Sequence, residues 1–264
     1  MALINHRARE IHFKIVYYGP SLGGKTTNLR MLHERLPAER RGNMLSIATD
    51  HERTLFFDFL PFALGQIQGY TTRIHLYTTP GQAYYRLSRR AVLQGLDGLV
   101  FVADSHPARE SANLESLEDL HEHLGAIGMT SAQRAKLAWV FQYNKRDLPA
   151  AMPMERMRKA LNRSAALEFE AVASEGRGVS ETLRAICKGV IAQVNVTGIP
   201  VLAATAAVVA TPAIATAPAV VAAPAVVTAP AAVAPPPIAR PDAPASVVRL
   251  RRRASRSRAA RRVT

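Results

Sequence analysis

Gly19-Pro20-Ser21-Leu22-Gly23-Gly24-Lys25-Thr26 fits the spacing G-x-x-x-x-G-K-[ST], and its flanks decide what that spacing means. Before it, Ile11 to Tyr18 is rich in β-branched and aromatic residues, the composition of a buried strand. After it, Leu29, Leu32 and Leu36 mark one face of a helix that starts at Lys25. Strand, glycine-rich loop and helix in this order make a phosphate-binding loop. Gly19, Gly23 and Gly24 let backbone N–H groups curl around an oxyanion, and the helix turns its positive dipole end toward it. Ser21 and Leu22 complete the cradle, and the Lys25 ammonium can reach the β- and γ-phosphates of a nucleoside triphosphate. The Thr26 hydroxyl suits a Mg2+ ion bridging those phosphates. Thr27 borders the same nucleotide site and, being spare for the metal, is expected to pack.

Working outward, Leu55 to Phe62 and Thr72 to Thr79 read as two strands of a β-hairpin, with the turn between Gly65 and Gly69. Strands and helices then alternate: Gly98 to Asp104 and Ala108 to Ile127, Leu137 to Tyr143 and Met154 to Asn162, Phe169 to Ala173 and Val179 to Val194. Alternation of this kind predicts an α/β fold, a mostly parallel six-stranded sheet flanked by helices, with ligands at the carboxyl ends of the strands. The phosphate loop, Thr78 to Gln82, Asn144 to Asp147 and Ala173 all fall at that rim.

Asn144-Lys145-Arg146-Asp147 fits N-K-x-D. Its carboxylate can accept from the N1–H and the 2-amino group of guanine together, whereas adenine offers neither donor and would leave the carboxylate unpaired. Asn144 would hold the loop and the base edge, and the Lys145 stem would cover the ring. Ala173, with Ser174, can turn a backbone N–H to the guanine oxygen. Together with the phosphate loop these residues point to GTP and GDP rather than ATP. Thr78-Thr79-Pro80-Gly81-Gln82 stands where a D-x-x-G-Q element belongs: Gly81 can donate its N–H to the γ-phosphate and Gln82 can orient the attacking water, but the aspartate is replaced by Thr78.

The chain resembles the bacterial Ras-like small GTPases of the mutual gliding-motility protein A (MglA) type. The resemblance runs through Lys14-Ile-Val-Tyr-Tyr-Gly-Pro, Arg53-Thr-Leu-Phe-Phe-Asp-Phe-Leu-Pro, His75-Leu-Tyr-Thr, Asp97-Gly-Leu-Val-Phe-Val-Ala-Asp-Ser, Gln142-Tyr-Asn-Lys-Arg-Asp-Leu-Pro and Met157-Arg-Lys-Ala-Leu-Asn. It covers nearly all of residues 1 to 196, and the threonine at 78 is part of the family pattern. What it implies is a Ras-like G domain that hydrolyses GTP slowly and switches between GTP and GDP states to set cell polarity for gliding motility. Its implied partners are a roadblock-type activator, MglB, and polarity effectors. It implies Thr54 as a switch ligand of Mg2+, Asp58 as an acid reaching the metal through water in place of the missing aspartate, Arg53 as a catalytic cation carried in cis, and Gln82 as the water-positioning residue. Ser21 departs from the glycine expected in close relatives; a side chain beside the γ-phosphate can slow hydrolysis, yet serine is common at this place in other small GTPases, so the switch is expected to survive. Thr78 and Ser21 keep a rival in view, a nucleotide-bound scaffold that recruits partners without hydrolysis.

Composition divides the chain near residue 199 into a first part, 1–199, which the motifs and the resemblance imply is a GTPase domain, and a tail, 200–264. The tail carries no charge before Arg240, and then nine Arg against Asp242 give it +8 of the total +14. Prolines at 212, 218, 224 and 230 block helices and sheet interiors, so an extended, disordered linker is expected. Its Arg249 to Arg262 cluster suits anionic lipid or nucleic acid. Cys187 is a lone cysteine on a helical apolar face, which excludes an internal disulfide framework and fits a reducing, cytoplasmic setting, concentrated at a cell pole if the family resemblance extends that far. The amino terminus lacks an apolar signal core and no transmembrane segment is expected. His121 and His123 lie two apart on a helix pattern and so point to different faces, the wrong spacing for a shared metal.

Overall fold

The computed structural model describes residues 2–47, 57–81 and 85–197, all within the first of two units, Met1–Thr205 and Ala206–Thr264. The tail therefore lies outside the described residues, as do Arg53, Thr54 and Gln82.

The core of the sheet is built by β2 (Glu10–Tyr18), β6 (Gly98–Asp104) and β7 (Ala138–Asn144). They are parallel neighbours, and β6 is buried at every position, as a near-continuous apolar run under helices on both faces must be. Outward from β2 lie β5 (Tyr70–Thr78), parallel to it, and β4 (Phe57–Ile67), antiparallel to β5; β8 (Leu167–Glu170) closes the far edge beside β7. These are the six strands that the sequence pattern predicts. Two three-residue strands raise the sheet to eight: β1 (Leu3–Asn5), antiparallel to the start of β2, and β3 (Leu45–Ile47), antiparallel to β4. Three residues are too few to show an alternation, so neither was legible as a strand.

The hairpin turn is narrower than expected. β4 and β5 pair as far as Ile67 and Tyr70, leaving a two-residue turn, Gln68 and Gly69, with φ of 50° and 80°. Positive φ at both positions matches the right-handed twist of the flanking strands. Gly65 lies inside the strand, where the register shifts between Ala63 and Gly65 as a bulge.

Alternate residues of β2 feed two cores. Ile11, Phe13, Ile15 and Tyr17 pack under α1 (Lys25–Arg35) and α6 (Val179–Thr197), where Cys187 is a buried apolar member. Val16 and Tyr18 pack on the other face, under α2 (Arg86–Leu93), α3 (Glu110–Ala126) and α5 (Met154–Leu161). His123 is buried against the Tyr18 hydroxyl at 3.1 Å, while His121 lies beside the Trp139 ring. The helix α2 and the short α4 (Ser131–Lys136) were not anticipated. No helix among the described residues is long and apolar enough to cross a membrane.

Candidate nucleotide-binding site

The loop after β2 opens the site. Gly23 N–H donates to the Pro20 carbonyl at 3.2 Å, tightening the loop before α1 begins. Gly24, just before α1, has φ of 101°, and a Cβ there would meet Asn144 Nδ2 at 2.1 Å. Glycine is needed at that point on both counts. Leu22 takes the left-handed conformation without being glycine, at φ 62°, and its side chain is 81% exposed. A cavity of about 580 Å3 lies over the loop, lined among others by Ser21, Leu22, Gly24, Lys25 and Thr26. Thr27 lines it too and is exposed rather than packed, contrary to expectation.

Lys25 is 6% exposed and donates to the Gly19 and Pro20 carbonyls at 2.8 and 2.7 Å. Burial, helped by repulsion from Arg89 and opposed by Asp58, pulls its pKa down to about 7. An ammonium held this way by neutral carbonyls is poised to meet anionic oxygens.

A carboxylate stands beside the start of α1. Asp58 Oδ2 accepts from Thr26 Oγ1 at 2.6 Å and from Thr78 Oγ1 at 2.9 Å, and its Oδ1 accepts from Ser46 Oγ at 2.7 Å. The Asp58 N–H in turn donates to Thr78 Oγ1 at 2.9 Å. The β4–β5 pairing thus places an acid where Thr78 itself has none. Ser46 went unnoticed in the sequence because nothing marks a lone serine in a three-residue strand. These oxygen donors suit a hard cation such as Mg2+, which takes much of its coordination from water and substrate phosphates. Gly81 closes the wall: a Cβ on it would lie 2.3 Å from Ser21 Cα, so the two backbones touch there.

Across the loop, Asn144 at the end of β7 is 2% exposed. Its Nδ2 donates to the Gly23 carbonyl and its Oδ1 accepts from Ala173 N–H, each at 2.9 Å. The Ala173 N–H, expected to face a guanine oxygen, is here engaged by Asn144. Lys145, at φ 64°, donates from Nζ to Asp104 Oδ2 at 2.7 Å, and Asp147 is exposed at the rim. Beneath the loop a buried network went unread in the sequence. Asn28 Nδ2 donates to the Gly24 carbonyl and to Gln142 Oε1, at 3.0 and 2.8 Å, and Gln142 Nε2 donates to Thr182 Oγ1 at 3.0 Å, joining α1, β7 and α6. The phosphate loop, the N-K-x-D turn and the Ala173 loop therefore meet at one rim.

No protein-family model matches the sequence. The chain is 51% identical over 198 residues to the mutual gliding-motility protein MglA of Myxococcus xanthus (strain DK1622), a match that spans 75% of this chain and 100% of that protein. The chain belongs to the MglA family. Its sheet order, its phosphate loop after β2 and its N-K-x-D turn after β7 are those of a Ras-like G domain. The Thr78 and Asp58 pair is thus a feature of an MglA-family chain, with the acid on β4 and the hydroxyl on β5.

Proposed function

We propose that this chain is a small GTPase that binds GTP and GDP in the cradle over α1, hydrolyses GTP slowly to GDP and phosphate, and serves as a switch for cell polarity and gliding motility. The observation that carries this reading is Asn144, whose one amide joins the base-reading turn to Gly23 of the phosphate loop and to Ala173. Asp147 would accept from the guanine edge, Lys145 would cover the ring, and Ala173 borders the base. Gly19, Ser21, Leu22, Gly23, Gly24 and Thr27 surround the phosphates, with Lys25 neutralising the β- and γ-oxygens and Gly81 N–H facing the γ-phosphate. Thr26 and Thr54 would hold Mg2+, and Asp58 would act through water. When bound, the ion neutralises charge on the β- and γ-phosphates.

Hydrolysis depends on positioning. Gln82 orients the attacking water and Arg53 brings positive charge to the phosphate oxygens, an arginine there being worth about 10³–10⁵ in rate. A roadblock-type, MglB-like partner that brings Arg53 and Gln82 to the γ-phosphate together accelerates the reaction without lending an arginine. The G domain occupies residues 1–199. The Arg249 to Arg262 cluster of the 200–264 tail serves anionic lipid or nucleic acid, and the protein works in the cytoplasm, concentrated at a pole where its effectors gather.

Single-turnover phosphate release with saturating partner tests this. Arg53→Ala and Gln82→Leu each keep GTP binding and lose most of the stimulated rate, and the double variant is scarcely worse than either. Full stimulation in Arg53→Ala would place the catalytic charge on the partner. GTP binding with no phosphate release, whether or not the partner is present, would favour the non-hydrolysing scaffold.

A further inference from the structure

Arg109 lies outside every motif, in the 3-10 turn Pro107–Arg109 between β6 and α3, yet it touches the phosphate loop. Its Nη2 donates to the Ser21 carbonyl at 2.8 Å, and its Nε lies 3.9 Å from Asp104 Oδ2. The turn that carries it is fixed: Arg109 N–H donates to the His106 carbonyl at 2.9 Å, and His106 N–H donates to Asp104 Oδ1 at 3.0 Å. Asp104, with a side chain 2% exposed at the end of β6, also accepts from Lys145 Nζ at 2.7 Å. One buried carboxylate therefore gathers a lysine from the base-reading turn and an arginine that grips the phosphate loop.

The grip has a geometric consequence. A trans peptide is planar, with its C=O and N–H on opposite sides. Holding the Ser21 carbonyl on the Arg109 side turns the N–H of the same peptide, that of Leu22, the other way. Leu22 also sits at φ 62° with an exposed side chain, a conformation that packing of leucine does not secure. Such strain persists where neighbours over-determine it. Asn144 acts alike on the Gly23 carbonyl and hence on Gly24 N–H.

We propose that Arg109 is a positioning residue of the nucleotide site, holding the Ser21–Leu22 peptide so that Leu22 N–H faces the polyphosphate, and tying this peptide through Asp104 to Lys145 at the base. The proposal rests on the guanine-nucleotide reading above. Its role is orientation of a donor to the phosphates beyond the α-position, so it separates nucleotides by phosphate number.

The test is competition of GMP and of GDP, in Mg2+, against a fluorescent guanine nucleotide on the full chain and on Arg109→Met and Arg109→Lys. Arg109→Met weakens GDP about tenfold, the scale of one hydrogen bond to a charged group, and leaves GMP within about twofold. Arg109→Lys, which keeps one cationic donor, recovers most of the GDP affinity. Equal loss for GMP and GDP would show a general loosening of the site and overturn the proposal, as would GDP affinity unchanged in Arg109→Met. Failure of the unaltered chain to bind any guanine nucleotide overturns the guanine reading and this proposal with it.

Discussion

On its base side the nucleotide cradle is pinned by backbone, because Asn144 bonds the Gly23 carbonyl and the Ala173 N–H. On its metal side Asp58 is held by hydroxyls, those of Thr26, Thr78 and Ser46. Backbone partners cannot leave without disturbing the strands and loops that carry them. Hydroxyls turn about a single bond and can trade a carboxylate for a cation or water. The base half of the site is thus prebuilt, whereas the metal half is made of exchangeable donors, which would suit the proposed switch between a bound triphosphate and a diphosphate.

That contrast breaks most visibly at Asn144. Asn144→Ala leaves the Gly23 carbonyl and Ala173 N–H without their partner, a loss of about 2–4 kcal/mol in stability at the usual scale of unsatisfied buried groups. GTP affinity is expected to fall about a hundredfold, read by titration with a fluorescent nucleotide. An affinity within a few-fold of the unaltered chain would show that the base side is not prebuilt.

Lys25 gives a smaller effect with a definite sign. Burial in the fold lowers its pKa to about 7, below the ordinary lysine value of 10.5. Anionic phosphates favour the ammonium, so binding takes up a proton, and affinity weakens as pH rises above 7, by up to about tenfold per unit for a single linked proton. Conversely, the free fold binds fewer protons here than the unfolded chain between pH 7 and 10.5, so its stability gains from this residue as pH rises through that window. Calorimetry in buffers of different ionisation enthalpy reads the uptake; binding at pH 8 with no proton exchanged would remove Lys25 from the phosphates.

The smallest effect is expected on the metal side. Thr78→Val keeps the shape but removes a donor to Asp58 Oδ2 and the acceptor of Asp58 N–H. Stability falls by about 1–3 kcal/mol. The Mg2+ concentration for half-maximal GTP binding rises by a few-fold, about 1 kcal/mol or less, because other oxygens replace the hydroxyl. A rise of a hundredfold or more would make this corner as rigid as the base side.

The two halves also differed in legibility. The phosphate loop and N-K-x-D could be read directly because their chemistry is fixed by short local spacing. Asp58 and Thr78 are twenty residues apart, and only the pairing of β4 with β5 brings them together, so spacing alone said nothing and the family resemblance had to supply it. Arg109 and the Asn28, Gln142 and Thr182 network were invisible for the same reason: these partners, a carbonyl, an amide and a hydroxyl, lie 40 to 114 residues away along the chain, and no residue type announces them. The alternation of β6 onward gave the strands well, while β1, β3 and α4 were too short for a period to emerge, and α2, as long as α5, stands outside that alternation, between the hairpin and β6.

The network beneath the loop also orders events in time. Asn28 is bonded to Gln142, and Gln142 to Thr182 on α6, so the floor of a cradle that begins at Gly19 is complete only when a helix more than 150 residues later has docked. A chain emerging from the ribosome extrudes its phosphate loop first and cannot finish it until α6 is out. The phosphate loop, made early, waits for the final helix of the domain before its floor is whole.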